Sequence, residues 1–145
     1  MNPTRPLVRE FFDQYARNRS AQDIGLITSQ YPDSFMFADP KGARVVETAP
    51  LLASFPKARQ FLEGAGYQST KVVSLDETRL DDHYVLARVQ FLWRFARARA
   101  EPIDVEIHAA FVLYVLGGAL TIVFQQERED FQEALRARGV LPTSP

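Results

Sequence analysis

Apolar positions near the start of the chain recur at helical spacing. Leu7, Val8, Phe11, Phe12 and Tyr15 form one stripe, which predicts a helix over 7–18. Pro6 suits its first turn, and Arg17 and Arg19 suit the negative end of the helix dipole. Ser20 through Asp23 has the spacing of a capping box, which predicts a second helix from Ser20 with Ala21, Ile24, Ile27 and Tyr31 on its inner face. Pro32-Asp33 ends it.

The period then changes. Phe35 and Phe37 alternate with shorter neighbours over 34–38, so that segment reads as a short strand. Asp39-Pro40-Lys41-Gly42 reads as a turn, and "ARVVE" returns as a second strand. Thr48 is placed to cap a helical region, with Pro50 in its first turn. Pro56 predicts a break near Ser54, with a restart through "KARQFLE" to Gly64 and Gly66.

The second half reads as β. Long strands are expected over 69–79 and 83–96, then a loop "RARAEP", then a Gly117-Gly118 hairpin of 103–116 with 119–127. "REDFQEALRAR" begins acidic and ends basic, as a closing helix should, and Gly139 stops it. "PTSP" reads as a loose tail.

Strand alternation assigns the faces. Val85, Ala87, Val89, Phe91, Trp93 and Phe95 fall on one side, with Val105, Ile107, Ala109, Phe111 and Leu113 matching them on the next strand. Arg88, Gln90, Arg94, Asp104, Glu106 and His108 fall on the other. A two-residue Gly-Gly loop places Phe111 opposite Phe124 and Leu113 opposite Ile122, provided no bulge intervenes. Helices first, then a mostly antiparallel sheet, then a short helix make an α+β architecture with helices on one sheet face.

Composition narrows the function classes. The chain has 145 residues, the length of one domain spanning 1–145. Hydrophobic residues are 46% and charged residues 24%, a globular balance. No cysteine is present, which excludes disulfides, thiolate catalysis and Cys-ligated metal sites. Net charge is −1, so there is no overall basic footprint for nucleic acid. Arg94, Arg97 and Arg99 read as a solvated strand end. Residues 109–124 carry no charge but fall short of the ~20 residues of a spanning helix. Arg5, Arg9, Glu10 and Asp13 interrupt any signal-peptide core. The expectation is a cytoplasmic protein that engages neither membrane nor nucleic acid.

Several side chains carry candidate chemistry. Asp39 before Pro-x-Gly has two readings: turn chemistry, in which it bonds nearby backbone N–H groups, and a carboxylate base at an apolar pocket. Tyr15 reads either as a core aromatic or as an O–H donor to a developing oxyanion. Asp104, Glu106 and His108 alternate on one strand face and include metal-ligand types. Their stronger reading is as charges facing Arg88 and Arg94 across the strand pair, so no metal and no cofactor are expected.

The whole pattern resembles the nuclear-transport-factor-2-like superfamily, which includes ketosteroid isomerase and the SnoaL-like polyketide cyclases. The resemblance runs from "REFFDQYARNRSAQDIGLITSQYPDSFMFADPKG" through "GGALTIVFQQE" to "EALRARGVLP". It implies a cone, or cystatin-like roll, in which a curved sheet wraps around N-terminal helices and encloses a pocket. It also implies a homodimer through the outer sheet face. Tyr15 in "FFDQYA" and Asp39 in "FADPKG" match the isomerase's helix tyrosine and its aspartate-proline in type, order and separation. By that resemblance Asp39 is the base and Tyr15 the donor of a cofactor-free isomerase or lyase. Phe37, Phe91, Trp93, Phe111 and Phe124 would then line a site for a small apolar molecule. The isomerase's second acid has no counterpart: Ile107, Ala109 and Phe111 hold the corresponding inner positions. The alternative is a non-catalytic dimeric module with a self-filled cone, acting through Arg88, Arg94, Glu106 and His108 on its outer face.

Overall fold

A computed structural model describes residues 5–142. The expectations for the Pro6 side chain and for residues 143–145 lie outside that description. The elements in order are α1 (Arg5–Ala21), α2 (Ile24–Thr28), β1 (Ser34–Asp39), β2 (Gly42–Glu47), α3 (Thr48–Gly64), β3 (Tyr67–Arg79), β4 (Tyr84–Arg97), β5 (Ala100–Leu116), β6 (Ala119–Glu127) and α4 (Phe131–Ala137).

The strands form one six-stranded mixed sheet in the order β2-β1-β6-β5-β4-β3. All pairings are antiparallel except β1 with β6. The sheet curves around α1 without closing into a barrel. The expected α+β roll is therefore the observed one.

The inner face follows the alternation read from the sequence. Val85, Ala87, Val89, Phe91 and Phe95 on β4, and Val105, Ile107, Ala109, Phe111 and Leu113 on β5, are all buried. Phe12 and Val8 of α1 are fully buried against them, and the Phe12 ring sits 4.8 Å from that of Phe111. Removing such side chains from water supplies roughly 1.5–3 kcal/mol apiece, which is what holds α1 in the sheet's concavity. A second cluster lies at the far end, where Leu135 of α4 packs with Phe95, Val105 and Ile107.

The helices differ from expectation in three places. Ser20 does not start α2. It belongs to α1, and its hydroxyl donates to Thr70 O at 3.0 Å and accepts from Thr70 N–H at 2.9 Å, pinning α1 to β3. Gln22 takes a left-handed conformation (φ 53°) that ends α1. Asp23 then caps the short α2 by accepting from Leu26 N–H. The expected break at Ser54 is also absent. α3 runs through Pro56 without interruption. Leu52, whose carbonyl loses its helical partner there, is exposed, so the position does not bury a lost bond. Thr48 does not cap α3 either. Its hydroxyl donates to the carbonyls of Pro32 and Asp33, fixing the start of α3 to the loop before β1.

A further difference, in the sheet, governs the site. β5 and β6 pair as expected from the Gly-Gly turn to Leu113–Ile122, and the register then shifts so that Val112 faces Phe124 and Phe111 faces Gln125. Val123 is the extra residue of a β-bulge. The expected Phe111–Phe124 pairing is replaced, and Phe124 turns to the outer face, beside Met36 of β1. Gln125 and Glu127 turn inward in its place.

Among the described residues no helix is long and apolar enough to cross a membrane.

Candidate functional site

Asp39 closes β1 and performs the turn chemistry its neighbours demand. Its Oδ1 accepts from Lys41 N–H at 2.9 Å, and its Oδ2 lies 3.8 Å from Arg44 Nη2. The side chain is nonetheless only 15% exposed. Phe35, Phe37 and Asp39 share one side of β1, as the alternation predicted, and Phe37 is in register with Gln125 of β6.

Tyr15 lies within the aromatic core of α1, 5.3 Å from the Phe91 ring and 5.7 Å from that of Phe111. One helical turn later comes Arg19. Its guanidinium carbon sits 5.1 Å above the Tyr15 ring, a cation–π contact. Arg19 thus points inward from the apolar stripe and is not a solvated residue at the helix end. The hydroxyls of Tyr15 and Tyr31 lie near enough to interact with it. Burial works against its charge, but the two phenols outweigh this and raise its pKa above the ordinary arginine value. Its Nε–H is buried with no hydrogen-bond partner in the protein.

From Arg19 a polar chain crosses the cone. The Tyr31 hydroxyl donates to Gln125 Oε1 at 2.5 Å, and Gln125 Nε2 donates to Glu127 Oε1 at 2.8 Å. Burial, with the nearby Tyr15 adding to it, pushes the Tyr31 pKa well above the usual phenol value. Burial likewise raises that of Glu127. The Gln125 bond and Arg19 pull it down, while the charges of Glu129 and Asp39 push it up.

This chain ends at a cavity of about 310 Å³ lined by residues of α2, α3, β1 and β2. Ile24, Ile27, Phe35, Phe37, Phe55 and Leu62 make its apolar walls, and Arg19, Tyr31 and Gln125 are polar groups at one end. Its volume is at the lower end of the roughly 300–1,000 Å³ range of small-molecule sites. A wider concavity of about 470 Å³ lies on the outer sheet face, lined by Asp76, Arg88, Gln90, His108, Gln126 and Arg128 among others. It is the more polar of the two.

The predicted site residues divide as follows. Phe37 lines the cavity, with the Arg44 guanidinium carbon 4.9 Å from its ring centre. Phe91 and Phe111 pack in the core against Tyr15. Trp93 packs under α4, 4.7 Å from the Phe131 ring, and Phe124 faces outward. Neither Asp39 nor Tyr15 is among the residues lining the cavity. Asp39 ends β1 outside that lining, close enough to Glu127 to raise that group's pKa.

Arg19, Tyr31, Gln125 and Glu127 were missed as site residues. Arg19 carried a usable signal, since it continues the spacing of Val8, Phe12 and Tyr15 along one helix face. On the outer face, Asp104 accepts a bidentate pair from Arg94 at 2.9 and 3.1 Å, and His108 Nδ1 meets Glu129 Oε1 at 2.5 Å. The pairing of Arg94 with Asp104 is the one that strand alternation predicted. Among the described residues no group of three metal-ligating side chains is assembled.

No family model matches the chain, and no curated protein matches it in sequence. Solved structures match it in fold. Aln2 from a Streptomyces species superposes with a TM-score of 0.72 at 16% identity, covering 95% of this chain and 99% of that one. An NTF2-like protein with a cystatin-like fold from Novosphingobium aromaticivorans gives 0.71 at 12% identity, covering 96% and 89%. A ketosteroid isomerase-like protein from Erwinia carotovora atroseptica gives 0.64 at 11% identity, covering 88% and 97%. At these identities the likeness is one of fold, and the fold of this chain is the nuclear-transport-factor-2-like, cystatin-like one. That fold hosts many unrelated activities, so function must be argued from the cavity.

Proposed function

We propose that the chain binds a small apolar molecule in the cone cavity. The observation that carries this is the lining: aliphatic and aromatic side chains surround a space of about 310 Å³ whose polar groups include Arg19, Tyr31 and Gln125. A few convergent polar groups in an apolar cleft orient a ligand, whereas a purely structural core closes up to crystal-like density. In the enzymatic form of this reading, Asp39 is the base and Tyr15 the donor of a cofactor-free isomerisation or elimination, which requires the bound molecule to reach beyond the cavity lining, of which neither residue is part.

Binding is tested with Ala58→Trp. Ala58 lines the cavity yet is exposed on α3, so a large side chain there obstructs the site while sparing the core. Titration with small aromatic and alicyclic compounds should give saturable binding to the native chain and none to the variant. Asp39→Asn preserves the acceptor for Lys41 N–H and removes the base. It should keep binding and lose any turnover. Equal turnover by the native chain and Asp39→Asn excludes Asp39 as the base.

A second reading rests on the outer concavity around Arg88 and His108, whose charged lining suits a dimer contact. Arg94→Glu would introduce repulsion on that face, and an unchanged sedimentation coefficient would count against a dimer formed there.

A further inference from the structure

The charge of the cavity wall narrows the ligand class. Arg19 and Arg44 both line the cavity, and among the described residues no aspartate or glutamate does. Arg44 has only a loose contact with a carboxylate, 3.8 Å from Asp39. Among the described residues Arg19 makes no ion pair. Glu127 feels its field but is not part of the cavity lining. A guanidinium in an apolar site with an unpaired buried N–H is costly as a purely structural device. The cost is recovered when an anion arrives, because a charge-assisted pair formed against apolar walls is stronger than one in water.

Resting on the reading of the cavity as a small-molecule site, we infer that its ligand is a small apolar carboxylate. The acid group lies against the Arg19 guanidinium, and the hydrocarbon body lies along Ile24, Ile27, Phe37 and Phe55. A carboxylate fits better than a point anion, because the planar guanidinium fork offers two parallel N–H donors. The Tyr31 hydroxyl donates to Gln125 and Gln125 donates to Glu127. That leaves the arginine as the group with charge to spend on the ligand.

The test compares matched probes on the intact chain: benzoate and cyclohexanecarboxylate against their primary amides, by calorimetric or NMR titration. Each acid should bind about tenfold or more tightly than its amide, as a charged partner of a buried guanidinium should. Arg19→Gln should erase the preference, and Arg19→Lys, which keeps the charge, should retain part of it. If Arg19→Gln fails to fold, the acid–amide comparison on the native chain still decides. Equal affinity for acid and amide, with both abolished by Ala58→Trp, would overturn the carboxylate assignment and leave the cavity reading standing. Absence of binding by every probe at millimolar concentration would overturn both.

Discussion

Tyr31 and Gln125 are joined across the cone by a 2.5 Å hydrogen bond between residues from the two ends of the chain. The bond exists because Val123 bulges out of β6 and turns Gln125, not Phe124, toward Phe111. Both residues are buried, and Tyr31 also packs on Phe35 at 4.5 Å. The loop after α2 is thereby fastened to the sheet at the cavity's polar end.

Tyr31→Phe keeps the ring and leaves the Gln125 carbonyl oxygen buried without a donor. It should lower stability by about 1–3 kcal/mol, the cost of an unsatisfied buried acceptor. Tyr31→Phe combined with Gln125→Leu should cost less than the two single changes added together. Urea denaturation of the three variants measures this, and strict additivity would show that the two groups do not interact.

Gly66 joins α3 to β3 with φ at +87°, and a Cβ built there would stand 2.7 Å from the Ala96 carbonyl oxygen. The same pair of residues is held by a backbone bond from Ala96 N–H to Gly66 O at 2.7 Å. The neighbour is backbone and has little room to yield. Gly66→Ala should destabilise by more than the ~1 kcal/mol ordinary cost of a left-handed alanine. Gly64→Ala, where a Cβ meets nothing, is the control. Equal midpoints for the two variants would contradict the account.

Burial raises the pKa of Glu127, so the folded chain holds this proton more tightly than the unfolded chain. A raised folded-state value means that the favourable contribution is complete below the unfolded pKa. It is lost as pH climbs through the folded one. Glu127→Gln removes the titration and keeps an acceptor for Gln125 Nε2. Its melting temperature relative to the native chain should therefore be higher at pH 8 than at pH 4. A difference that does not change with pH would contradict the assignment.

The sequence made the sheet legible where alternation was regular. Along β4 and β5 every second residue is apolar, and a one-residue slip would expose the whole set, so facing and pairing follow directly. It concealed the site for the same physical reason. Ala119 through Phe124 is apolar apart from Thr121, so it reads equally well in either register, and nothing local marks Val123 as the bulge. Placing Phe124 inward by counting from the turn therefore hid Gln125 and Glu127. Arg19 was hidden by its position: near a helix end an arginine suits the dipole, yet its spacing from Tyr15 put it inside. Pro56 misled because, although it lies inside α3, the helix is exposed at Leu52 and tolerates the lost bond. Asp39 was legible as a turn residue and as a member of the inner face of β1. The cavity's own walls, drawn from α2, α3, β1 and β2, became visible only with tertiary structure.

The space beside Arg19 is proposed to receive a small molecule. Methyl-resolved NMR during titration with cyclohexanecarboxylate tests it most directly. Ile24, Ile27, Val46, Leu51 and Leu62 line the cavity, whereas Val8, Val85, Leu113 and Ile122 lie in the sealed core. Saturable shifts are expected in the first set and still resonances in the second. Shifts absent from the first set, or confined to residues around Arg88 and His108 on the outer face, would contradict it.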